Sequence, residues 1–220
     1  MFKNDQEMFA LMKEKLYTAV VCDIMDELGY RNQAMSERIR PIHPDNVIVG
    51  RAKTCLAVDV YKIYENTYEK EIEAIDSLKE NEVLVACTNN STRNVLWGEL
   101  LSTASKARGA VGAVIDGLIR DVKLINEMGF PVFCTGFKPL DSKGRGTFID
   151  YDCPVECGGV LVNPGDVIFG DYDGVIVIPK EIVEKTITLA LEKVSKEDNV
   201  RKELLEGASL AEVFKKYGVL

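Results

Sequence analysis

The chain has 220 residues, 46% hydrophobic and 28% charged, which is typical of one folded domain with a sizeable core and excludes a disordered or fibrous protein. Acidic residues outnumber basic ones by 35 to 27, and the net charge of −8 argues against nucleic acid as a partner, because phosphate backbones are bound by basic surfaces. No apolar run approaches the roughly 20 residues that span a bilayer, and the polar start lacks the apolar core of a signal peptide, so we expect a cytoplasmic protein without a membrane segment.

The pattern up to residue 134 alternates helices with strands. Residues 3–29 predict one or two amphipathic helices that end at Gly29, and Gly50 is predicted to form a turn or bulge between two strands. The predicted strands are 47–49, 54–60, 82–87, 112–115 and 131–134, and the further helices are 69–79, 98–108 and 121–128. We expect apolar side chains of these helices to face the core: Ile72, Ile75 and Leu78 from the first of the three, and Leu100, Leu101, Ala104 and Ala107 from the second.

After residue 146 the pattern changes to short strands separated by Gly, Pro and Asp, predicted at 147–151, 159–162, 166–170 and 175–178. A charged helical tail follows over about 180–220, with its helix predicted from 180 to 217 and a break near Gly207. The early alternation and the late run of strands predict one mixed α/β domain over residues 1–220.

The cysteines and the single histidine narrow the chemistry. The six cysteines lie scattered in apolar stretches, which is typical of reduced, buried thiols. Only Cys153 and Cys157 are close in sequence, and their spacing does not match a zinc site. His43 lies in a turn-like segment, RPIHPDN, so mechanisms built on Ser-His-Asp or Cys-His are not expected. Any chemistry must therefore rest on carboxylates, arginine, lysine or a metal.

Two motifs carry the strongest chemical signal: WGELL at 97–101 and DGLIRD at 116–121. A helix over 98–108 advances about 16 Å at about 1.5 Å per residue. A strand over 112–116 advances about 16 Å in turn, at about 3.3 Å per residue. The strand therefore returns the chain to the start of the helix, and we expect Arg120 and Asp121 to lie beside Glu99 and the free N–H groups of its helix.

Each of these groups has a chemical use. The N–H groups at a helix start bind anions such as a carboxylate, and Arg120 can donate two hydrogen bonds to a carboxylate or an enolate oxygen. Glu99 and Asp121 are hard oxygen ligands suited to Mg²⁺ or Mn²⁺. The alternative is that Asp121 only caps its own helix and pairs with Arg120, and the spacing alone does not decide between these readings.

Other candidate sites are weaker. The DYDG segment at 171–174 with Asp166 lacks the remaining ligands of a calcium loop, and KGRGT at 143–147 lacks the context of a phosphate loop. Lys53 and Lys62 are expected to be solvated rather than Schiff-base lysines. Trp97 is expected either in the core or on the wall of a pocket beside Glu99.

Longer stretches extend the pattern: GRAKT at 50–54, WGELLSTASKARGAVGAVIDGLIRD at 97–121, PVFCTG at 131–136 and CGGVLVNPGDVIFGDYDGVIVIP at 157–179. With them the chain resembles the class II pyruvate aldolases that cleave 4-hydroxy-4-methyl-2-oxoglutarate, within the superfamily named for the regulator of ribonuclease E activity A. The resemblance implies a mixed α/β/α sandwich of the swivelling β/β/α type. The metal-site pattern of the family, an acidic residue, 20 positions and then Arg-Asp, falls on Glu99, Arg120 and Asp121. Glu99 is one methylene longer than the aspartate usual there.

The resemblance also implies a role for each residue. Asp121 would ligate Mg²⁺ or Mn²⁺, and Glu99 would hold the metal's waters or touch the metal itself. The substrate's pyruvyl half would bind Arg120 and the backbone N–H groups of the segment Gly98, Glu99, Leu100 and Leu101. The implied reaction is retro-aldol cleavage of a 4-hydroxy-2-oxo acid to pyruvate, with oxaloacetate decarboxylation as a side activity and a metal-bound water as the proton carrier.

The resemblance further implies trimers, often paired into hexamers, with each site at a subunit boundary. The matching C-terminal region is KEDNVRKELLEG at 196–207, and Glu197 of a neighbouring subunit is the candidate acid near the metal waters, although a solvated charge is the simpler reading. Some members of the superfamily are instead non-catalytic regulators that bind a ribonuclease. Because that regulator keeps Arg but lacks the following Asp, Asp121 favours the lyase.

Overall fold

The computed structural model describes residues 2–219. The helices within this range are α1 (Asp5–Lys15), α2 (Thr18–Glu27), α3 (Glu69–Asp76), α4 (Glu99–Ala107), α5 (Val122–Glu127), α6 (Val183–Leu205) and α7 (Leu210–Tyr217). The strands are β1 (Arg40–Pro41), β2 (Ile48–Asp59), β3 (Glu82–Cys87), β4 (Gly112–Ile119), β5 (Val132–Phe137), β6 (Gly146–Tyr151), β7 (Val155–Cys157), β8 (Val160–Val162), β9 (Val167–Asp171) and β10 (Gly174–Ile178).

Eight of these strands form one mixed sheet in the order β1-β5-β4-β3-β2-β9-β10, with β6 also paired to β2. The pairs that join β2, β3, β4 and β5 are parallel, and the remaining pairs are antiparallel. β1 and the segment before it connect the two ends of the sheet: the backbone N–H of Met35 donates to the carbonyl of Val175 at 2.9 Å, and Arg40 of β1 donates to the carbonyl of Asp173. The sheet is therefore nearly closed.

Three clusters of buried apolar residues hold the layers together. One lies between α3, α4, α5 and the parallel strands, and it contains Trp97, Ile115 and Phe130. A second lies between α1, α2, α6 and strands β2, β9 and β10. The third fills the inner side of the sheet, where the β7–β8 hairpin covers it. Hairpin, sheet and helices form the layers β/β/α, and the predicted mixed α/β single domain is confirmed.

Most predicted elements are present within a few residues of their predicted ends, but β2 is one strand where two were predicted. Gly50 remains inside it because a Cβ there would lie 2.5 Å from the carbonyl oxygen of Asn81, so the position needs a glycine for close approach and not for a turn. The short strands β1 and β7 were not predicted. The break in the tail is confirmed, since α6 ends at Leu205 and a capping box begins at Ser209.

The predicted inner face of α3 is right for Ile75 and Leu78 and wrong for Ile72. Ile72 is 56% exposed, whereas Glu71, Ala74, Ile75 and Leu78 are buried. These buried positions follow the spacing i, i+3, i+4, i+7 of one helix face. The face therefore begins with a glutamate, which a search for apolar residues passes over.

The predicted inner face of α4 is right for Leu101 and Ala104, which pack against the core, and wrong for its other two residues. Leu100 is 76% exposed, and Ala107 is exposed as well. The buried side chains of α4 are Ser102 and Ser105, and the indole N–H of Trp97 donates to the Ser102 hydroxyl at 2.9 Å. This hydrogen bond is what makes a serine acceptable in the core.

The predictions for cysteine and histidine are confirmed. All six cysteines are free thiols, and four of them are buried. His43 is exposed in a turn, where its backbone N–H donates to the side chain of Asn46. Among the helices within residues 2–219, none has the length and apolar character that crossing a membrane requires.

Candidate functional site

The end of β4 lies beside the start of α4, as the lengths of the two elements predict. Trp97 pairs with Ile119 in a parallel bridge, and the backbone N–H of Arg120 donates to the Trp97 carbonyl at 3.0 Å. Because β4 runs back along α4, the two residues after the strand arrive at the N-terminus of the helix. Arg120, Asp121 and Glu99 are thereby brought together.

The side chain of Asp121 points to α4 and not to its own helix. Asp121 precedes α5 with φ 61°, in the left-handed region, and makes no side-chain capping bond to α5. Its Oδ2 instead accepts the backbone N–H of Glu99 at 3.3 Å and lies 3.5 Å from Nε of Arg120. The capping alternative is therefore wrong, while the pairing with Arg120 is present. A left-handed aspartate is strained, and such strain is concentrated at functional sites.

Gly98 permits this close approach. A Cβ at position 98 would lie 2.8 Å from Oδ2 of Asp121 and 3.2 Å from Cγ of Arg120. The backbone of Gly98 is extended, with φ −157°, so the need for glycine is steric and comes from the nearest side chains, Asp121 and Arg120.

The guanidinium of Arg120 is held at two of its three nitrogens, since Nε faces the carboxylate of Asp121 and Nη1 is bonded on another side. Its Nη1 donates to the Leu140 carbonyl at 3.0 Å and to Oδ1 of Asp141 at 3.4 Å. Oδ2 of the same aspartate accepts from the Tyr68 hydroxyl at 3.0 Å. These contacts orient a half-buried arginine whose Nη2 donates to no side chain or backbone group within residues 2–219.

Glu99 is half-buried at the first position of α4. Its Oε1 accepts the hydroxyl of Thr103 at 2.7 Å, one turn further along the helix. Leu100 is largely exposed and Leu101 is half-buried. The N–H groups of this first turn have no partners within the helix, so those not bonded to Asp121 are available to an anion.

These groups line a cleft of about 320 Å³. Its wall combines apolar side chains with five charged ones, so it is more polar than the wall of an ordinary small-molecule site and suits a charged ligand. The lining residues are Tyr68, Glu71, Val95, Leu96, Trp97, Gly98, Glu99, Leu100, Leu101, Arg120, Asp121, Asp141 and Ser142. All the residues predicted for one subunit's site are among them. Arg120 and Asp121 also border a second, more open cleft beside Phe137.

Sequence reasoning missed Glu71, Tyr68 and Asp141. Glu71 is only 7% exposed, and burial, reinforced by the charge of Asp141 and opposed by Arg120, raises its pKa to about 7. Burial and the hydrogen bond to Asp141 also raise the pKa of Tyr68. The sequence could have indicated that Glu71 is buried, because it lies on the same face of α3 as Ala74, Ile75 and Leu78. Asp141 lies in a loop, and no periodic pattern marks it.

Glu197 lies on α6, and its carboxylate accepts a hydrogen bond from the Tyr17 hydroxyl of the same chain. Burial and this contact raise the pKa of Tyr17 to about 12. Glu197 does not line the cleft formed by its own chain. Its predicted role in a neighbouring subunit's site therefore remains a prediction.

Two of the weaker candidate residues, Lys53 and Asp171, make contacts outside the cleft. Lys53 is buried, contrary to the prediction of a solvated lysine, because its ammonium lies 2.6 Å from the carboxylate of Asp152 and beside the Tyr151 ring. It does not line the cleft. Asp171 accepts from the backbone and hydroxyl of Thr18 at the start of α2, which is the structural role expected of that turn.

The comparisons with known proteins decide the family. Residues 18–177 match the sequence profile of the RraA-like family, described as Aldolase/RraA. The chain belongs to the RraA-like family.

Two individual relatives are also similar over most of this chain. The chain is 30% identical over 176 residues to a protein of Halalkalibacterium halodurans named as a candidate 4-hydroxy-4-methyl-2-oxoglutarate aldolase, with 80% of this chain and 79% of that protein covered. It is also 30% identical to protein DlpA of Legionella pneumophila over 91% of this chain, but it spans only 32% of that protein's length.

A solved structure shows the same fold. RraAS2 of Streptomyces coelicolor, described as an unusual member of the RNase ES inhibitor RraA protein family, superposes with a TM-score of 0.81 at 28% identity, with 91% of this chain and 98% of that chain covered. The family therefore includes proteins named for two different activities, and the site must decide between them.

Proposed function

We propose that the protein is a divalent-metal-dependent carbon–carbon lyase. Its reaction is the retro-aldol cleavage of a 4-hydroxy-2-oxo acid, of the 4-hydroxy-4-methyl-2-oxoglutarate type, to pyruvate and a second carbonyl compound. Oxaloacetate decarboxylation is the side activity, since it passes through the same pyruvate enolate. The names of the aldolase-like relatives support the lyase class.

The observation that carries this proposal is the position of Asp121. Its backbone is held in the left-handed region, and its carboxylate points away from its own helix, into a cleft shared with Arg120 and the N-terminus of α4. A purely structural aspartate at this position would cap α5. A carboxylate beside a guanidinium and free N–H groups is instead suited to bind a small dianionic substrate together with a cation.

The donor set fits a hard cation that keeps much of its hydration shell. The described residues of one chain contain no cluster of three or more His, Cys, Asp or Glu side chains that could enclose a metal. Asp121 and Glu99 provide carboxylate oxygens, which suits Mg²⁺ or Mn²⁺ with several waters and does not suit zinc. These two residues would hold the ion, with Glu197 of a neighbouring subunit near its waters. When bound, the ion would supply positive charge that stabilises the enolate.

The remaining groups orient the substrate. Arg120, fixed through Nη1 by Leu140 and Asp141, offers the N–H groups of Nη2 to the carboxylate or the developing enolate oxygen of the pyruvyl half. The first-turn N–H groups of Leu100 and Leu101 add partial positive charge on the same side. Trp97 and Leu96 form the apolar back of the cleft, which excludes water and strengthens these interactions.

A second candidate function is regulation by binding a ribonuclease. The similarity to Streptomyces RraAS2, which is described as belonging to a family of RNase ES inhibitors, favours it. This function needs a surface and not a catalytic cleft. It gives no reason for a strained aspartate beside Arg120, and for that reason we rank it second.

The test measures pyruvate release from 4-hydroxy-4-methyl-2-oxoglutarate and from oxaloacetate, with Mg²⁺ and after EDTA treatment. Asp121→Asn is the informative variant, because asparagine tolerates the left-handed backbone and removes only the charge. Asp45→Asn, at a side chain that is 90% exposed, is the matched control. Metal-dependent release that is lost in Asp121→Asn alone would support the lyase. Background release from both substrates by the unmodified protein would refute it.

A further inference from the structure

The cleft contains one carboxyl group that the proposed reaction has not yet used. Glu71, in the first turn of α3, lines the cleft and is 7% exposed. Its Oε2 is fully buried and has no hydrogen-bond partner within residues 2–219. An unpaired buried oxygen costs free energy of folding, so stability does not explain a glutamate on the buried face of this helix.

The surroundings of Glu71 place it among the substrate-orienting groups. Asp141 and Arg120 are the charged groups that act on its carboxyl, and the ionisable groups of Tyr68 and Cys55 also sense its charge. Burial is the main cause that raises its pKa to about 7. A carboxyl group in this range is partly protonated and partly ionised near neutral pH, which is the condition for one group both to accept and to donate a proton.

We propose that Glu71, in place of the metal-bound water expected from the sequence, is the proton shuttle of the cleft, carrying the proton of the substrate's 4-hydroxyl group to C3 of the pyruvate enolate. This inference rests on the proposed lyase function. First, the Glu71 carboxylate takes the hydroxyl proton while the C3–C4 bond breaks; the hydroxyl oxygen becomes a carbonyl oxygen, and the electrons of the broken bond form the enolate. Then the Glu71 carboxylic acid returns the proton to C3, and the enolate oxygen becomes the keto oxygen of pyruvate.

The side reaction makes a different demand on Glu71. Oxaloacetate has no 4-hydroxyl proton to remove, and its C–C bond breaks with loss of CO₂ without a base. Only the final protonation of the enolate remains, and water can supply that proton. A shuttle is therefore essential for aldol cleavage and dispensable for decarboxylation. A residue that merely supports the fold would affect both reactions equally.

The experiment compares Glu71→Gln with the unmodified protein in the presence of Mg²⁺. We expect cleavage of 4-hydroxy-4-methyl-2-oxoglutarate to fall by about 100-fold or more, the usual effect of losing a general acid–base group, and oxaloacetate decarboxylation to change by less than about threefold. Exchange of the pyruvate methyl protons with D₂O, followed by NMR, should fall together with cleavage. Glu69→Gln, an exposed glutamate of the same turn, is the control and should change none of the three rates.

A second measurement needs neither substrate nor metal. Infrared difference spectra between about pH 6 and about pH 8 should show the carbonyl band of a protonated carboxylic acid in the unmodified protein that is missing in Glu71→Gln. Absence of that band, cleavage by Glu71→Gln within about threefold of normal, or an equal loss of both reactions would each overturn the shuttle. An unmodified protein that forms no pyruvate from either substrate would overturn the lyase itself, so the two failures are distinguishable.

Discussion

Replacing Glu71 by Gln should stabilise the protein above neutral pH and change its stability little in acid. Burial raises the pKa of this carboxyl from 4.5 to about 7, so the folded chain holds the proton more tightly than the unfolded chain. The free energy of unfolding contributed by this group therefore falls as pH rises from about 4.5 to about 7, and the full penalty remains at higher pH. At about 1.4 kcal/mol per pKa unit, the penalty is about 3 kcal/mol.

Urea unfolding of both proteins at about pH 5 and about pH 8 measures this effect, because the global effects of pH cancel in each comparison. We expect Glu71→Gln to be more stable by about 3 kcal/mol at the higher pH and by less than about 1 kcal/mol at the lower pH. Glu69→Gln, at an exposed position of the same turn, should show no such dependence on pH. A stability difference that is the same at both pH values would refute the reasoning, since it would mean that Glu71 titrates alike in both states.

The other predictions concern the cleft and its assembly. Gly98→Ala should keep the fold, because the added Cβ meets movable side-chain atoms, but it should lower turnover by about 10- to 100-fold through displacement of Asp121 and Arg120. Arg120→Lys should lose about 100-fold in turnover with little loss of stability, since lysine carries the charge without the planar fork. EDTA should abolish pyruvate formation and Mg²⁺ should restore it, whereas borohydride with pyruvate should leave the protein active. Glu197→Gln should lower activity without dissociating an oligomer, and truncation before Val194 should damage assembly and activity together, as light scattering would show.

Specific outcomes would contradict each of these. Normal turnover of a folded Gly98→Ala protein would show that its close contacts do not position the site. Normal turnover of Arg120→Lys would make Arg120 structural. Inactivation by borohydride but not by EDTA would indicate an imine mechanism. A fully active monomer would remove Glu197 from the site.

The sequence was sufficient to predict those parts of the site that depend on the lengths of neighbouring elements. The lengths of a helix and of the following strand predict that the chain returns to the helix start, and Arg120 meets Trp97 there. Whether Asp121 caps its own helix or faces α4 was left open, because that depends on a left-handed backbone and a side-chain direction that spacing does not encode.

The predictions that were wrong, and the features that were not predicted, have physical causes. The face of α3 was assigned from its isoleucines, but eight residues of helix fix a face poorly, and the core accepts Glu71 where the cleft begins. Lys53 was expected in solvent because its partner, Asp152, lies far along the chain and no short-range pattern reveals the pair. The closure of the sheet depends on contacts between segments that are equally far apart in the chain, and so does the packing of the β7–β8 hairpin on its inner side.

The central strand β2 also bears on how the chain is made. One edge of β2 pairs with β3, the next strand in the chain. The other edge pairs with β6 (Gly146–Tyr151) and β9 (Val167–Asp171), which are synthesised much later. At about 5–20 residues per second, a ribosome takes roughly 5 to 20 seconds to deliver those partners. During that interval β2 presents an unpaired row of backbone groups to other nascent chains. The yield of folded protein should therefore respond to translation speed and to substitutions in β9, even where neither changes the stability of the finished molecule.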